Sequence, residues 1–416
     1  MTKKYLLVLC TLFFLQAAIG QKVSSIKFTG IERTKVSYLL QFVETTIGET
    51  LVLERLQKDQ QRLSNLEILA KAAYAIDTLE AGQLAIEFQC AELFTLLPIF
   101  NFGSLTDNSW LQIGLSEANL FGRGHKAFVY YQYYDRNSVA AQLTLNRINR
   151  SKWGVSLNFT KWSTIEPLFF EAGVVSYNYD NFSYGGELSY DLSFRQRLVA
   201  GLTYFTEEYE AVSATVSGAP AYAFKRKMLY KFRHSLDHIN YHFFYQDGLQ
   251  NVVNAQIVCS FNEDPFFWIF FNDLKYFMRI GERGNFASRL RIGLSSNEDS
   301  PFAPFVLDSY LNIRGVGNRV DRGTGTLVGN VEYRHAFIDK NKVALQIDLF
   351  ADIGSWRKPG GELIDFSNVA NQVFFAGIGT RFILKRIHQA VLRVDYGFDM
   401  KDLSNQGLVI GLGQYF

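Results

Sequence analysis

The stretch Asn312 to Gly325, NIRGVGNRVDRGTG, holds the side chains of this chain best suited to chemistry. It carries three arginines, Arg314, Arg319 and Arg322, and five of its fourteen residues are glycine or threonine, so its backbone can turn freely. A guanidinium is a planar fork that binds a carboxylate through two parallel hydrogen bonds, and where water is restricted it needs such a partner. Downstream segments supply carboxylates in phase. Alternation in the strand from Val343 puts Leu345, Ile347 and Leu349 on one face and Gln346, Asp348 and Asp352 on the other. The same phase sends Glu332, Arg334, Arg381, Arg393 and Asp395 to that second face. An Arg314 folded inward would meet these carboxylates, and its fork could clamp Asp352 as an ion pair; an exposed loop with a solvated Arg314 is the other reading.

Catalytic patterns do not fit. RGVGNRVDRGTG has glycines but neither G-K-[ST] nor a strand-turn-helix context, so it is not a phosphate loop. His234, His238 and His242 share a face on a strand, yet residues i and i+4 stand about 13 Å apart there, too far for one metal ion. The sequence therefore implies no enzyme, no metal and no cofactor. Lys and Arg total 42 against 40 Asp and Glu, a formal charge of +2, and neither sign gathers into a block, so no nucleic-acid partner is suggested.

The elements that must position these residues begin after a secretory leader. Lys3 and Lys4, an apolar run from Tyr5 to Leu15 and the small-residue site Ala18-Ile19-Gly20 mark residues 1–20 as a signal peptide. Cys10 lies inside its apolar run. Cys90 and Cys259 fall in different domains and read as small apolar side chains, not as a disulfide. No later stretch is long and apolar enough for a membrane helix.

Residues 21–96 read as one small α+β domain. Val23 to Phe28 is a strand, Thr34 an N-cap, and Val36, Leu39, Leu40 and Val43 recur on one helical face that docks on a sheet. A second helix from Leu53 carries Leu53, Leu56 and Leu63 on one side and a Glu54–Lys58 pair on the other. Two strands follow, Ile68 to Ile76 and Leu84 to Cys90, joined by a turn at Glu80-Ala81-Gly82.

From about Asn101 to Phe416 the period is two, in segments about ten residues long, the length at which a tilted strand crosses a bilayer. One face meets lipid and the other a wet lumen. The expected fold is a transmembrane antiparallel β-barrel of about sixteen strands. Counting gives about seventeen candidates, and with both ends on one side the number must be even; Leu168 to Tyr209 is where the count is least defined. Strands at about 326–337, 342–353, 373–384, 389–398 and 407–416 put the connection 298–325 at the opposite mouth. In the last of these, Leu408, Ile410, Leu412 and Phe416 alternate with Val409, Gly411, Gly413 and Tyr415, giving an aromatic-terminated strand.

Four motifs carry a resemblance. Ile313-Arg314-Gly315 resembles the V/I-R-G core of the lumen-folding loop in BamA/TamA-type outer-membrane assembly factors. Glu117 to Gly124 looks like that family's D-x-N-L-x-G-x-G turn at the start of the barrel, with Asn119, Gly122 and Gly124 in place and Glu117 for the usual acid. Phe350 to Gly354 looks like its F-x-D-x-G strand end, and Gly329 to Arg334 like its G-N-x-E-Y-R strand. The α+β domain is similar to a POTRA module. The resemblance implies an outer-membrane protein of a Gram-negative bacterium with its N-terminal domain in the periplasm. Its partners would be unfolded outer-membrane protein clients and outer-membrane lipids. One module stands where BamA carries several, which leaves accessory periplasmic or lipoprotein subunits open. The implied mechanism is sideways opening of a weak seam between a first strand near Trp110 and a last strand near Leu408, whose Gly407, Gly411 and Gly413 weaken pairing; Phe416 closes that strand. A polypeptide-secretion transporter of the same superfamily and a passive porin or receptor are the competing expectations.

Overall fold

The structure, a computed structural model, describes residues 21–79, 82–104, 109–134, 136–170, 172–212, 216–242, 245–261, 266–297, 304–307, 312–317, 322–387 and 390–416. The expected signal peptide and the Glu80-Ala81 turn lie outside them. The chain divides into two compact units, Met1–Glu92 and Leu93–Phe416.

The smaller unit runs β1 (Val23–Thr29), α1 (Val36–Leu39), a 3-10 turn (Leu40–Phe42), α2 (Leu53–Ser64), β2 (Leu69–Thr78) and β3 (Leu84–Glu92). Its sheet has the order β1-β3-β2, with β1 parallel and β2 antiparallel to β3. Alternation along β3 buries Leu84, Ile86, Phe88 and Cys90, the last three against Leu39, Leu56 and Leu63. The first helix corrects the sequence reading. It lasts one turn before tightening into the 3-10 segment, so Tyr38 and Leu39 are buried while Val36 and Leu40 are exposed. Thr34 is not its cap; Lys35 occupies that position without a side-chain bond. Leu53 also faces outward, whereas Glu54 and Lys58 pair at 2.7 Å. Cys90 and Cys259 are free, and burial pushes the Cys90 thiol up to about 11, which keeps it protonated and unreactive.

The larger unit is a closed barrel. Its wall comprises β4 (Leu96–Ser104), β5 (Ser109–Leu120), β6 (His125–Tyr134), β7 (Arg136–Leu145), β8 (Trp153–Phe170), β9 (Gly173–Ser193), β10 (Gln196–Ala211) and β11 (Tyr222–Asp237). After the short β12 (Asn240–His242), it continues with β13 (Tyr245–Ser260), β14 (Phe267–Ile280) and β15 (Gly284–Ser295). Past the small pair β16 (Phe305–Val306) and β17 (Arg322–Gly323), it is completed by β18 (Gly325–Asp339), β19 (Val343–Arg357), β20 (Gln372–Leu384), β21 (Val391–Asp399) and β22 (Gln406–Leu412). Sixteen strands thus form the closed antiparallel wall, with β12 a side branch on β13. The region from Leu168 to Tyr209 holds the end of β8 and then two long strands, β9 of 21 and β10 of 16 residues, that pair as a hairpin. His234 lies on β11, His242 on β12 and His238 between them.

Outward positions form an apolar belt, with Leu115, Leu157, Leu349 and Ile353 exposed, while Gln346, Asp348 and Asp352 on the alternate phase are fully buried in the lumen. This is the pattern of a wall solvated by hydrocarbon. The wall closes where β22 meets β4. Among the described residues Leu408–Gly411 pair with Ser104–Asn101, a four-residue ladder, whereas β21–β22 runs over seven residues and β8–β9 over eighteen. The seam strand is therefore β4; Trp110 sits one strand further on, in β5, where it pairs with Gly103 and Tyr134. The cause is Pro98, which removes a ladder donor and makes Leu96–Ser104 look unlike a strand, although an edge is where proline is tolerated.

In the smaller unit, Glu92 ties the end of β3 to the loop after β1, accepting from the backbone amides of Glu32 at 2.8 Å, Arg33 at 2.9 Å and Thr34 at 2.6 Å. Partial burial opposes its ionisation, but these donors outweigh it and hold the carboxyl below the ordinary value of 4.5. A depressed folded pKa stabilises above the unfolded value, and that stabilisation is lost as pH falls through the folded one. Hydrogen exchange of the Glu32–Thr34 amides, corrected for intrinsic rates, should therefore keep its protection at pH 4.5 and lose it as the pH falls further, through the depressed folded value. Glu92→Gln should abolish that pH dependence; a pH-dependent loss that survives the substitution would place its origin elsewhere.

Candidate functional site

Between β15 and β18, Leu307 and residues 312–317 pack against the inner wall of the barrel. Leu307, Ile313 and Val316 form a buried cluster with Val328, Trp356, Val373 and Phe375. Glycines let the loop approach. Gly315 has φ +89°, and a Cβ there would stand 2.8 Å from the carbonyl oxygen of Gly397. A Cβ on Gly407 would lie 2.5 Å from the carbonyl oxygen of Gly315. The loop therefore lies backbone to backbone on β21 and on the seam strand β22. A Cβ on Gly354 would crowd Ile313 and Leu307 at 3.0 and 3.2 Å.

Next to this contact Arg314 is wholly buried. Its Nε and Nη2 donate to Asp352 Oδ2 and Oδ1, both at 2.9 Å, and its own backbone amide donates to Oδ2 at 2.9 Å. Nη1 donates to Glu332. The guanidinium lies 3.8 Å from the Phe350 ring centroid and 4.7 Å from that of Tyr415, within the range of cation–π attraction. Asn330 fastens both sides, donating to the Asn312 carbonyl at 2.9 Å and to Asp352 at 2.8 Å.

The network continues down the wall in β register. Arg334 Nε donates to Glu332. Arg381 Nη1 reaches Asp395 at 2.6 Å and Asp348 at 3.0 Å, and Arg393 lies 3.3 Å from Asp395. With Arg289, which donates to Asn330 at 2.9 Å, five guanidiniums face four carboxylates, Glu332, Asp348, Asp352 and Asp395. The faces of Phe350, Tyr415 and Phe416 lie against these guanidiniums, within the range of cation–π attraction. Such a cluster binds and orients.

Ile313, Arg314, Gly315, Glu332, Arg334 and Asp352 are thus one assembly. Asn119, Gly122 and Gly124 form a separate tight turn between β5 and β6. Gly122 and Gly124 have φ +69° and +62°, and the Asn119 side chain accepts from the Gly124 amide at 2.9 Å while Glu117 accepts from the Asn119 amide at 2.7 Å. Gly411 lies at the seam, where a Cβ would meet Asn101 Oδ1 at 2.8 Å and Arg393 Nη2 at 2.9 Å. Asn101 in turn donates to Gln112, and Gln112 to Gln132, at 2.7 and 3.3 Å, a lumenal amide ladder.

Phe416 is not the outward end of a strand. β22 stops at Leu412, Gly413 takes φ +92°, and Tyr415 and Phe416 turn into the lumen and are buried. Alternation in GLVIGLGQYF assumes unbroken extension, and glycine at 413 was the one local sign of a break. Sequence reasoning also missed Asn330, Arg289 and Asn101 as network members, although each falls on the lumenal phase of its strand.

Residues 119–416 match the model of the Omp85 superfamily domain. No curated protein matches the sequence. Among solved structures, the chain is similar to BamA from Haemophilus ducreyi lacking POTRA domains 1-3, with TM-score 0.57 and 14% identity over 94% of this chain and 84% of that one. CdiB from Escherichia coli gives TM-score 0.64 and 10% identity over 95% and 77%, and CdiB from Acinetobacter baumannii 0.58 and 11% over 95% and 74%. At these identities the likeness is one of fold.

Removing one partner of a buried ion pair leaves the other charge uncompensated, so Arg314→Ala and Asp352→Ala should each destabilise by on the order of 2 to 5 kcal/mol. Their combination should cost less than the sum, and Arg314→Lys should not restore stability, because an ammonium lacks the fork. Denaturant unfolding of the detergent-solubilised protein, with protease access to residues 298–325, measures this; additive effects would mean that the two residues act independently.

Proposed function

The chain belongs to the Omp85 superfamily, and from that premise we propose that it is an outer-membrane assembly factor that recruits unfolded β-barrel proteins and inserts them into the outer membrane of a Gram-negative bacterium. The observation that carries the reading is the seam. Among the described residues four pairs join β22 to β4, and the register exposes ladder donors and acceptors of Leu96–Phe100 that have no partner on β22. Unpaired strand edges within hydrocarbon are costly, so an edge that pairs so briefly is suited to template an incoming strand. The small α+β unit then serves as a POTRA module in the periplasm, whose edge strands β1 and β2 receive an extended client segment by β-augmentation. The clamp holds the loop against the seam strand between rounds of insertion.

Depletion of the protein with quantitation of the outer-membrane proteome tests the function: several barrel proteins should fall together. Export by a polypeptide transporter would instead remove one secreted protein and leave the barrels intact. The mechanism is tested by Phe102→Cys with Ile410→Cys, register partners across the seam, in a background with Cys90 and Cys259 replaced by Ala. Oxidation should stop client assembly and reductant restore it. Normal assembly through a locked seam would overturn the mechanism.

A further inference from the structure

On the face of the barrel that meets hydrocarbon, β11, β13 and β14 lie side by side, and their register sets the outward side chains in rows. Tyr230, Ile257 and Trp268 make one row, and Phe232, Ala255 and Phe270 the next. The five large side chains among them are all exposed. With alanine on the middle strand and rings on both sides, the wall sinks into a trough of about 400 Å³ floored by Ala255.

The third row breaks the apolar pattern. It reads His234, Val253 and Asn272, and Asn251 stands one outward position further along β13. On the outward phase of β14, Asn272 follows Trp268 and Phe270 and precedes Leu274 and Tyr276, so it sits within the apolar belt. A neutral amide moved from water into hydrocarbon without partners costs several kcal/mol, and polar side chains at such depth are rare for that reason. Asn272 Nδ2 donates to Asn251 Oδ1 at 2.6 Å and to the Val252 carbonyl at 3.4 Å. Among the described residues the Asn251 amide nitrogen, the Asn272 side-chain oxygen and the His234 ring have no hydrogen-bond partner. Donors and acceptors are therefore left open at one end of the trough.

We propose that the trough and its polar end are one binding site for a membrane lipid, with an acyl chain along Ala255 between the rings and the ester group of that chain on His234, Asn251 and Asn272. Successive rows are about 7 Å apart along a strand, so a single chain lies across the first two and brings its ester to the third. The occupant comes from the bilayer, because the outward phase of the wall is solvated by hydrocarbon. The polar row holds no lysine or arginine to pair with a phosphate, and the group that matches open amide and imidazole positions is a neutral carbonyl. A second copy of the chain fits less well, since meeting by this same face it would set trough against trough. The site lies on strands remote from the β22–β4 seam. It needs only a membrane-spanning wall, so it stands apart from the assembly reading.

Native mass spectrometry of the detergent-solubilised protein, titrated with a diacyl phosphatidylethanolamine, tests the site. One lipid should bind ahead of the others. The ether-linked analogue has the same headgroup and chains but no carbonyl, and its first binding step should be weaker by roughly tenfold, the worth of one hydrogen bond. Asn251→Leu with Asn272→Leu should bring the ester lipid down to the affinity of the ether lipid and leave the ether lipid unchanged, a split that a general loosening of the wall would not give. Ala255→Phe fills the trough and should abolish the early step for both lipids; if it fails to fold, judged by heat-modifiable gel mobility, Ala255→Leu takes its place. Equal affinity for the two lipids in the unsubstituted protein, a leucine pair that weakens both alike, or an early step that survives the filled trough overturns the site. So does a dimer that Ala255→Phe disperses, which would give this face to a second copy.

Discussion

Everything in the lumen depends on finding a place for one buried guanidinium. Taking Arg314 out of water costs several kcal/mol, and the structure offsets this with a bidentate carboxylate, a second carboxylate and an aromatic face, all on the inner wall. Because those partners are distributed over β18 and β19, the loop can satisfy its arginine in one position only. The backbone amide of Arg314 bonds to the same Asp352 oxygen as its Nε, so the main chain is placed together with the side chain. This makes an otherwise glycine-rich segment a defined part of the barrel.

Glycine does the complementary work. Gly397 and Gly407 clear a strip of wall on which Gly315 rests, Gly411 leaves room for Asn101 across the seam and for Arg393 of β21, and Gly413 turns the tail inward. The last strand is therefore weak in pairing for reasons that are steric as well as entropic: the positions that lack side chains are those where the loop and neighbouring polar groups come closest. Loop, seam strand and tail are three parts of one contact surface, and a change in any of them is felt by the others.

Much of this could be read in the chain because period-two alternation assigns a side to every strand residue, and a wet lumen makes that side meaningful. Asp352, Glu332, Arg334, Arg381 and Asp395 fall on the lumenal phase from local sequence alone. What could not be read was long-range or broke the alternation. Pro98 hid β4, which moved the seam from Trp110 to Asn101–Ser104. An amphipathic pattern from Val36 to Val43 predicted a helix that tightens after one turn, because packing of Tyr38 and Leu39 decides its length. Phe416 was assigned by an alternation that Gly413 interrupts, and its arginine partners lie on strands remote in sequence.

The central claim is that the Arg314 clamp stabilises the closed seam through the last strand. Hydrogen exchange of the wall measures this directly, by comparing Arg314→Ala with the unsubstituted protein in the same nanodiscs. The account predicts faster exchange confined to Gln406–Leu412 and Leu96–Ser104, with Trp153–Phe170 and Gly173–Ser193 unchanged. Unaltered protection of Gln406–Leu412, or an equal loss around the whole barrel, would contradict it.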